Sequence, residues 1–91
     1  MQIKFKSSFD RHFKKLSVAR QQRVFEAIDA LLSYLDGAGD LRHGLGLKNW
    51  HKDYWEIRSG LKDRIIFELT VRITFFMVGN HDEIRNFMKR R

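Results

Sequence analysis

The chain of 91 residues contains no cysteine and no proline. Without cysteine it can form neither a disulfide framework nor a thiolate metal site, so we expect a cytoplasmic protein. It also lacks any run that approaches the ~20 apolar residues of a membrane span. Its N-terminal residues alternate between apolar and charged types, whereas a signal peptide would carry an apolar stretch. We therefore expect neither secretion nor insertion into a membrane.

Acidic residues are scarce relative to basic ones, 11 against 18, which gives a formal net charge of +7. A field of this strength attracts polyanions, so nucleic acid or an acidic protein is the expected partner. The same charge is also compatible with a role in solubility alone. Hydrophobic residues make up 43% of the chain, enough for one core, and the length fits a single domain over residues 1–91.

The first half of the sequence predicts one strand followed by two helices. Alternating apolar and polar residues over 2–7 are typical of a half-buried strand. Ser8 and Ser17 are candidate N-caps for helices over 9–16 and 18–35. Gly37 fits the end of the second helix and opens a glycine-rich crossover towards Gly46.

The second half predicts a β-meander and a closing helix. Residues 54–58, 64–69 and 71–78 are rich in β-branched and aromatic types and are separated by short polar turns. Residues 82–91 have the spacing of a short helix. The sequence therefore predicts an α+β fold of order β-α-α-β-β-β with a C-terminal helix, in which the strands form an antiparallel sheet.

Two arginines are expected to face each other on this sheet. If Ile57 pairs with Ile65 on the buried face, Arg58 lies opposite Arg64 on the other face, because side chains alternate along a strand. Directly opposed like charges destabilise a strand pair, and two guanidinium groups suit a phosphate ligand. The sequence therefore predicts an anion site on this face.

Two other interpretations of these arginines stay open. Glu56 or Glu68 could neutralise the pair as ordinary surface charge. Alternatively, the turn could slip by one residue and place Asp63 opposite Arg58.

His81 is the candidate for proton transfer. It follows an apolar strand in a turn, where functional side chains are often presented, and histidine is the side chain that ordinarily titrates near neutrality. A hydrogen-bonded turn histidine is the simpler alternative. The four histidines form no HxxxH or HxH pair, so we expect no metal site and no cofactor.

Cationic and aromatic side chains alternate just before the arginine strand. This mixture is typical of surfaces that bind single-stranded RNA, with cations on phosphates and rings on bases. Trp50 fits the hydrophobic core equally well. The residues concerned are Lys48, Trp50, His51, Lys52 and Tyr54.

Three segments together resemble the C-terminal half of toxins in the RelE/ParE superfamily of type II toxin-antitoxin systems. They are Tyr54-Trp55-Glu56-Ile57-Arg58, then Asp63-Arg64-Ile65-Ile66-Phe67-Glu68, and finally Phe76-Met77-Val78-Gly79-Asn80-His81-Asp82. The resemblance implies a twisted antiparallel sheet with two N-terminal helices on one side and a concave basic surface on the other.

The resemblance is stronger to the RelE-like mRNA interferases, which cut messenger RNA in the ribosomal decoding site and so inhibit translation. It implies that Arg58 and Arg64 bind the phosphate, that His81 transfers a proton to the leaving oxygen, and that Glu56 is the candidate base. Phe87 falls near a position where many members carry tyrosine, so stacking alone is expected of it. Lys48, Lys52 and Tyr54 are the expected additional RNA contacts.

The same superfamily contains ParE-like inhibitors of DNA gyrase, which need no catalytic residues. A second alternative is a non-catalytic module that binds RNA or protein. In either toxin case the resemblance implies an acidic antitoxin as partner, and the net charge of +7 fits such a pairing.

Overall fold

The computed structural model describes residues 2–37 and 45–90, which form five strands and three helices. The elements are β1 (Gln2–Phe5), α1 (Ser7–Lys14), α2 (Val18–Leu35), β2 (Lys48–His51), β3 (Tyr54–Ser59), β4 (Asp63–Leu69), β5 (Arg72–Gly79) and α3 (His81–Lys89). The predicted order of elements is confirmed with one addition, the strand β2. Its residues were predicted only as cationic and aromatic side chains that precede the arginine strand. Most of the predicted glycine-rich crossover lies in 38–44, outside the described residues. None of the helices in the described ranges is long and apolar enough to cross a membrane.

The strands form one sheet in the order β1-β5-β4-β3-β2. Pairing is antiparallel from β2 to β5, as predicted for the meander, whereas β1 joins β5 in parallel. Parallel neighbours cannot be joined by a short turn. Most of the chain accordingly lies between β1 and β5. The sheet is therefore mixed at one edge.

Both predictions at α2 are confirmed. The Ser17 side chain accepts a hydrogen bond from the backbone N–H of Arg20 at 3.2 Å, and Gly37 follows the helix with a φ of 75°. The prediction for Ser8 is wrong, since α1 begins at Ser7, after Lys6. The Ser8 hydroxyl instead donates to the carbonyl of Phe76 at 2.5 Å and ties α1 to β5.

The sheet is covered by helices on both faces. The larger core lies between the sheet and the pair α1 and α2, and includes Phe9, Val24, Ile28, Leu31, Ile57, Ile65, Phe67 and Phe75. A smaller core lies under α3 and consists of Ile66, Phe76, Met77, Ile84 and Met88. The implied packing of two helices on one face is thus confirmed, and α3 covers part of the other face.

A β-bulge in β5 explains why the neighbours Phe76 and Met77 share the smaller core. Ile66 pairs with Met77 while Phe67 pairs with Phe75, so Phe76 is the extra residue in the register. An extra residue of this kind breaks the strict alternation of side chains across the sheet. The smaller core therefore gains one aromatic side chain that simple alternation would place elsewhere.

A partly buried ion pair joins the start of α2 to the start of β4. Arg20 donates from Nε to Oδ2 of Asp63 at 2.8 Å and from a terminal nitrogen to Oδ1 at 2.5 Å. These hydrogen bonds raise the pKa of Arg20 despite the opposing effect of burial. Asp63 is almost fully buried and directly precedes Arg64, so the pair fixes the strand end from which Arg64 projects.

Candidate functional site

Arg58 and Arg64 occupy opposite positions on β3 and β4, as the sequence predicted. Ile57 pairs with Ile65 in the larger core, so the arginines project on the face away from α1 and α2. Asp63 lies opposite Ser59, which excludes the slipped register. The like charges therefore do face each other.

Glu56 compensates Arg64. The glutamate is buried, with 5% of its surface exposed, and its Oε2 lies 3.3 Å from Nε of Arg64. Its other oxygen, Oε1, accepts a hydrogen bond from Nε1 of Trp50 at 3.1 Å. The interpretation in which an acidic residue neutralises one arginine is thus correct for Arg64, and Trp50 fixes the carboxylate that does so.

The environment of Arg58 differs from that of Arg64. It is exposed, and its side chain makes no ion pair or hydrogen bond with the residues that the structure describes. Its backbone N–H donates to the carbonyl of Leu45 at 2.6 Å. Its side chain lies so close to Gly46 that a Cβ there would come within 3.1 Å of Cδ and Nε. Arg58 is therefore a positioned cation that retains its capacity for an anion.

Gly46 suits this position for a second reason. Its φ of 59° lies in the left-handed region, which glycine adopts at little cost. The segment before β2 can thus turn tightly and pass beneath the Arg58 side chain. The backbone conformation therefore favours glycine here, and a Cβ at this position would also displace the Arg58 side chain by a few tenths of an ångström.

His81 is the first residue of α3 and is exposed. Asn80 precedes it as the N-cap of α3, in a capping box with Glu83 that was not recognised from the sequence. His81 lies two residues beyond Gly79, the cross-strand neighbour of Arg64. The predicted histidine therefore sits at the end of the strand beside the arginine pair.

An open cleft of about 370 Å³ contains His81. It lies between β2 and α3, and the residues that line it are Lys48, Trp50, His51, His81, Arg85, Met88 and Lys89. Arg58 and Arg64 do not line this cleft. Lys48 connects the two areas, because it pairs with Glu56 across the strands and places Nζ 5.0 Å from the centre of the Trp50 ring.

The predicted aromatic contacts lie around the smaller core. Tyr54 and Phe87 are half-buried, and their ring centres lie 5.6 and 6.4 Å from that of Phe76. Lys52 is exposed in the turn between β2 and β3, where it adopts a φ of 51°. The structure thus brings Lys48 and His81 together in the cleft, whereas Tyr54, Phe87 and Lys52 do not line it.

Arg85 and Lys89 belong to the site but were not identified from the sequence. Their spacing of four residues on a short helix was the available signal, because such residues share one helical face. Within the described ranges, no group of three His, Cys, Asp or Glu side chains is arranged to hold a metal ion.

Comparisons with known proteins identify the fold. No family model matches the chain, and no curated protein sequence matches it. A solved structure of the RelB–RelE antitoxin-toxin complex from Methanococcus jannaschii matches with a TM-score of 0.68 and 21% identity, covering 92% of this chain and 96% of that one. The chain has the RelE/ParE toxin fold.

Two further structures agree. The E. coli DinJ–YafQ toxin-antitoxin complex matches with a TM-score of 0.65 and 17% identity, covering 91% of this chain and 94% of that one. A YoeB/ParE toxin from Agrobacterium tumefaciens matches with a TM-score of 0.63 and 15% identity, covering 89% of this chain and 99% of that one. At these identities the likeness establishes the RelE/ParE fold, and activity has to be inferred from the residues of the site.

Proposed function

We propose that this protein is the toxin of a type II toxin-antitoxin system and that it cleaves messenger RNA. The observation that carries the proposal is the exposed Arg58, whose side chain has no ion-pair partner among the described residues. It lies opposite Arg64, and Arg64 in turn neighbours Gly79 at the strand end that leads to His81. The RelE/ParE fold and the net charge of +7 support the same assignment.

In the proposed reaction the 2′-hydroxyl of the RNA releases its proton to solvent water, and its oxygen attacks the adjacent phosphorus to form a 2′,3′-cyclic phosphate. The bond from phosphorus to the 5′-oxygen breaks in the same step. Arg58 binds the phosphate, and Arg64 stabilises the negative charge that develops on it; such fixed cations contribute several kcal/mol to catalysis. His81 protonates the leaving 5′-oxygen. The chemistry requires no metal ion.

We assign Glu56 to holding Arg64 instead of accepting the 2′-hydroxyl proton. Both of its carboxylate oxygens are engaged, one by Arg64 and the other by Trp50. Acting as a base would disrupt one of these interactions in a buried environment. The arrangement instead keeps the Arg64 guanidinium in a fixed orientation, which electrostatic stabilisation of a transition state needs.

Induced expression in cells tests the assignment, with growth and transcript cleavage as the readouts. We expect Arg58→Gln and His81→Gln to relieve growth arrest and to reduce cleavage by about 10²-fold or more, the usual contribution of such groups. Arg11→Gln and His12→Gln on α1 are the matched controls and should arrest growth as the parent does. If both site variants cut transcripts as well as the parent, the proposed site is wrong.

Gyrase inhibition is the second candidate. It is favoured by one observation, namely that Arg58 and Arg64 do not line the cleft that contains His81. Purified protein incubated with translating ribosomes, and separately with gyrase and supercoiled DNA, distinguishes the two activities. A non-catalytic module would bind RNA or protein equally well after His81→Gln and would be inactive in both assays.

The proposed partner is an acidic antitoxin, as RelB is the partner of RelE and DinJ that of YafQ in the solved complexes. The excess of basic residues makes such pairing electrostatically favourable. Co-expression with the neighbouring reading frame tests this partner. Growth arrest that persists, with no complex formed, would argue against a toxin-antitoxin pair.

A further inference from the structure

We propose that Arg20 is a positioning residue for RNA cleavage, which keeps Arg64 and His81 at a fixed separation. This role rests on the proposed function, in which those two residues act on the same phosphate group. Arg20 belongs to α2, which packs on the face of the sheet opposite to Arg64. It therefore acts through other residues and not on the RNA itself.

Arg20 holds the backbone that leads into Arg64. Both oxygens of Asp63 accept hydrogen bonds from the guanidinium group, at 2.8 Å from Nε and at 2.5 Å from a terminal nitrogen. Two parallel hydrogen bonds fix the orientation of a carboxylate as well as its position. Only 2% of the Asp63 side chain is exposed, so water has little access to compete for it. The next residue, Arg64, therefore starts from a fixed point on β4.

Glu83 fixes the turn that carries His81. Its backbone N–H donates to Oδ1 of Asn80, and its Oε1 accepts from the backbone N–H of Asn80, both at 2.9 Å. His81 lies between these two residues in the chain. The same Oε1 lies against Gly79, where a Cβ would come within 2.8 Å of it. The Glu83 carboxylate thus holds the start of α3 against the end of β5.

The restraints on the two sides meet at Arg20. Gly79 is the cross-strand partner of Arg64, so the strand end beneath Glu83 is the one beside Arg64. The hydrogen bonds to Asp63 raise the pKa of Arg20, and the negative charges of Asp63 and Glu83 raise it further. Arg20 is thus attracted to one carboxylate on the strand of Arg64 and to another in the first turn of α3. Glu83 is exposed, so solvent screens its attraction, and the bonds to Asp63 are the stronger restraint.

The separation of Arg64 and His81 matters because the proposed reaction uses both at one phosphodiester bond. Arg64 stabilises charge on the phosphate while His81 protonates the oxygen that leaves it. A displacement of about 1 Å between groups that act together can lower a rate about 10²-fold. Loss of the Arg20 restraint should therefore slow cleavage and leave RNA binding unchanged, since Arg58 binds the phosphate.

Cleavage of a messenger RNA on translating ribosomes by the purified protein tests this role, with kcat and KM measured for each variant. Arg20→Lys keeps the charge but cannot offer two parallel hydrogen bonds, so we expect kcat to fall about tenfold with KM unchanged. In a His81→Gln background the same substitution should lower kcat less than about threefold, because the separation from His81 no longer contributes. Arg23→Lys is the matched control and should cleave as the parent does. It lies one turn later on α2, against Gly60, and makes no ion pair with the described residues.

A purely structural role for Arg20 predicts a different result. It would lower kcat by the same factor with and without His81, because the loss would follow the folded fraction alone. That result, or an unchanged kcat in Arg20→Lys, would overturn the proposed role.

Glu83→Gln carries the test if Arg20→Lys fails to fold. Glutamine keeps the capping box with Asn80 but removes the charge that attracts Arg20. We expect kcat to fall about threefold in the parent and to stay unchanged in the His81→Gln background. An equal fall in both backgrounds, or none in the parent, would overturn the role of Arg20.

Failure of the proposed function gives a separate result. A parent protein that cuts no transcript, or a His81→Gln variant that cuts as well as the parent, would count against both proposals. Loss of cleavage in His81→Gln, together with equal effects of Arg20→Lys in both backgrounds, would count against the positioning role alone.

Discussion

The ion pair of Arg20 and Asp63 makes an asymmetric prediction about stability. The Asp63 side chain is 2% exposed and the Arg20 side chain 27% exposed. Removing one partner leaves the other behind, and breaking a fully buried pair costs about 3–5 kcal/mol. We therefore expect Arg20→Gln to cost about 3 kcal/mol, because it leaves a buried carboxylate with a weaker neutral partner. Asp63→Asn should cost about 2 kcal/mol, because the remaining guanidinium is partly hydrated.

Urea unfolding, followed by tryptophan fluorescence, measures these differences. A domain of this length has a total stability of about 5–14 kcal/mol, so either variant removes a large fraction of it. Arg11→Gln and Asp29→Asn are exposed controls and should change stability by less than about 0.5 kcal/mol. The double variant R20Q/D63N should cost less than the sum of the single changes. If Asp63→Asn costs as much as Arg20→Gln, or if the two changes add, the pair is not the asymmetric, coupled interaction described above.

Two further predictions concern residues that hold the site in place. Gly46→Ala should cost about 1 kcal/mol of backbone strain and should also reduce RNA cleavage by displacing Arg58. Gly37→Ala is the control, because it carries the same kind of strain but its added Cβ meets no atom within 4 Å. An equal loss of cleavage in both variants would refute the argument that contact with Gly46 positions Arg58. Asn80→Ala should lower the free energy of unfolding, measured with urea, by about 1 kcal/mol through loss of the capping box. Asn86→Ala, on the exposed surface of the same helix, is the control. An equal loss of stability in both variants would contradict a specific role for the cap.

The parts of the fold that depend on local periodicity were predictable from the sequence. The register of Ile57 with Ile65 was predicted from alternation, with a slip of one residue left open. The structure has the predicted register, in which the apolar side chains of both strands lie on the same face. Helix α2 was predicted over its full length, since Ser17 and Gly37 mark its ends with specific backbone chemistry.

Other features depend on contacts between residues that are distant in the chain, and local patterns do not encode these. Strand β2 has only four residues and owes its existence to pairing with β3. Ser8 has the side chain of an N-cap, yet its hydroxyl bonds to a carbonyl 68 positions away. The bulge at Phe76 likewise arises from packing under α3. Tertiary contacts override local preference at each of these places.

The main change from sequence to structure concerns the two opposed arginines. Sequence alone treats them as equivalent, and their mutual repulsion predicts a ligand for both. In the structure Glu56 compensates Arg64, and Trp50 in turn fixes Glu56, so the repulsion is relieved within the protein. Arg58 is left as the exposed cation that lies over Gly46. The two arginines therefore differ physically: Arg64 is held in a fixed orientation by Glu56, whereas Arg58 is exposed to solvent. The proposed reaction uses this difference, because it assigns Arg58 to phosphate binding and Arg64 to the charge that develops during cleavage.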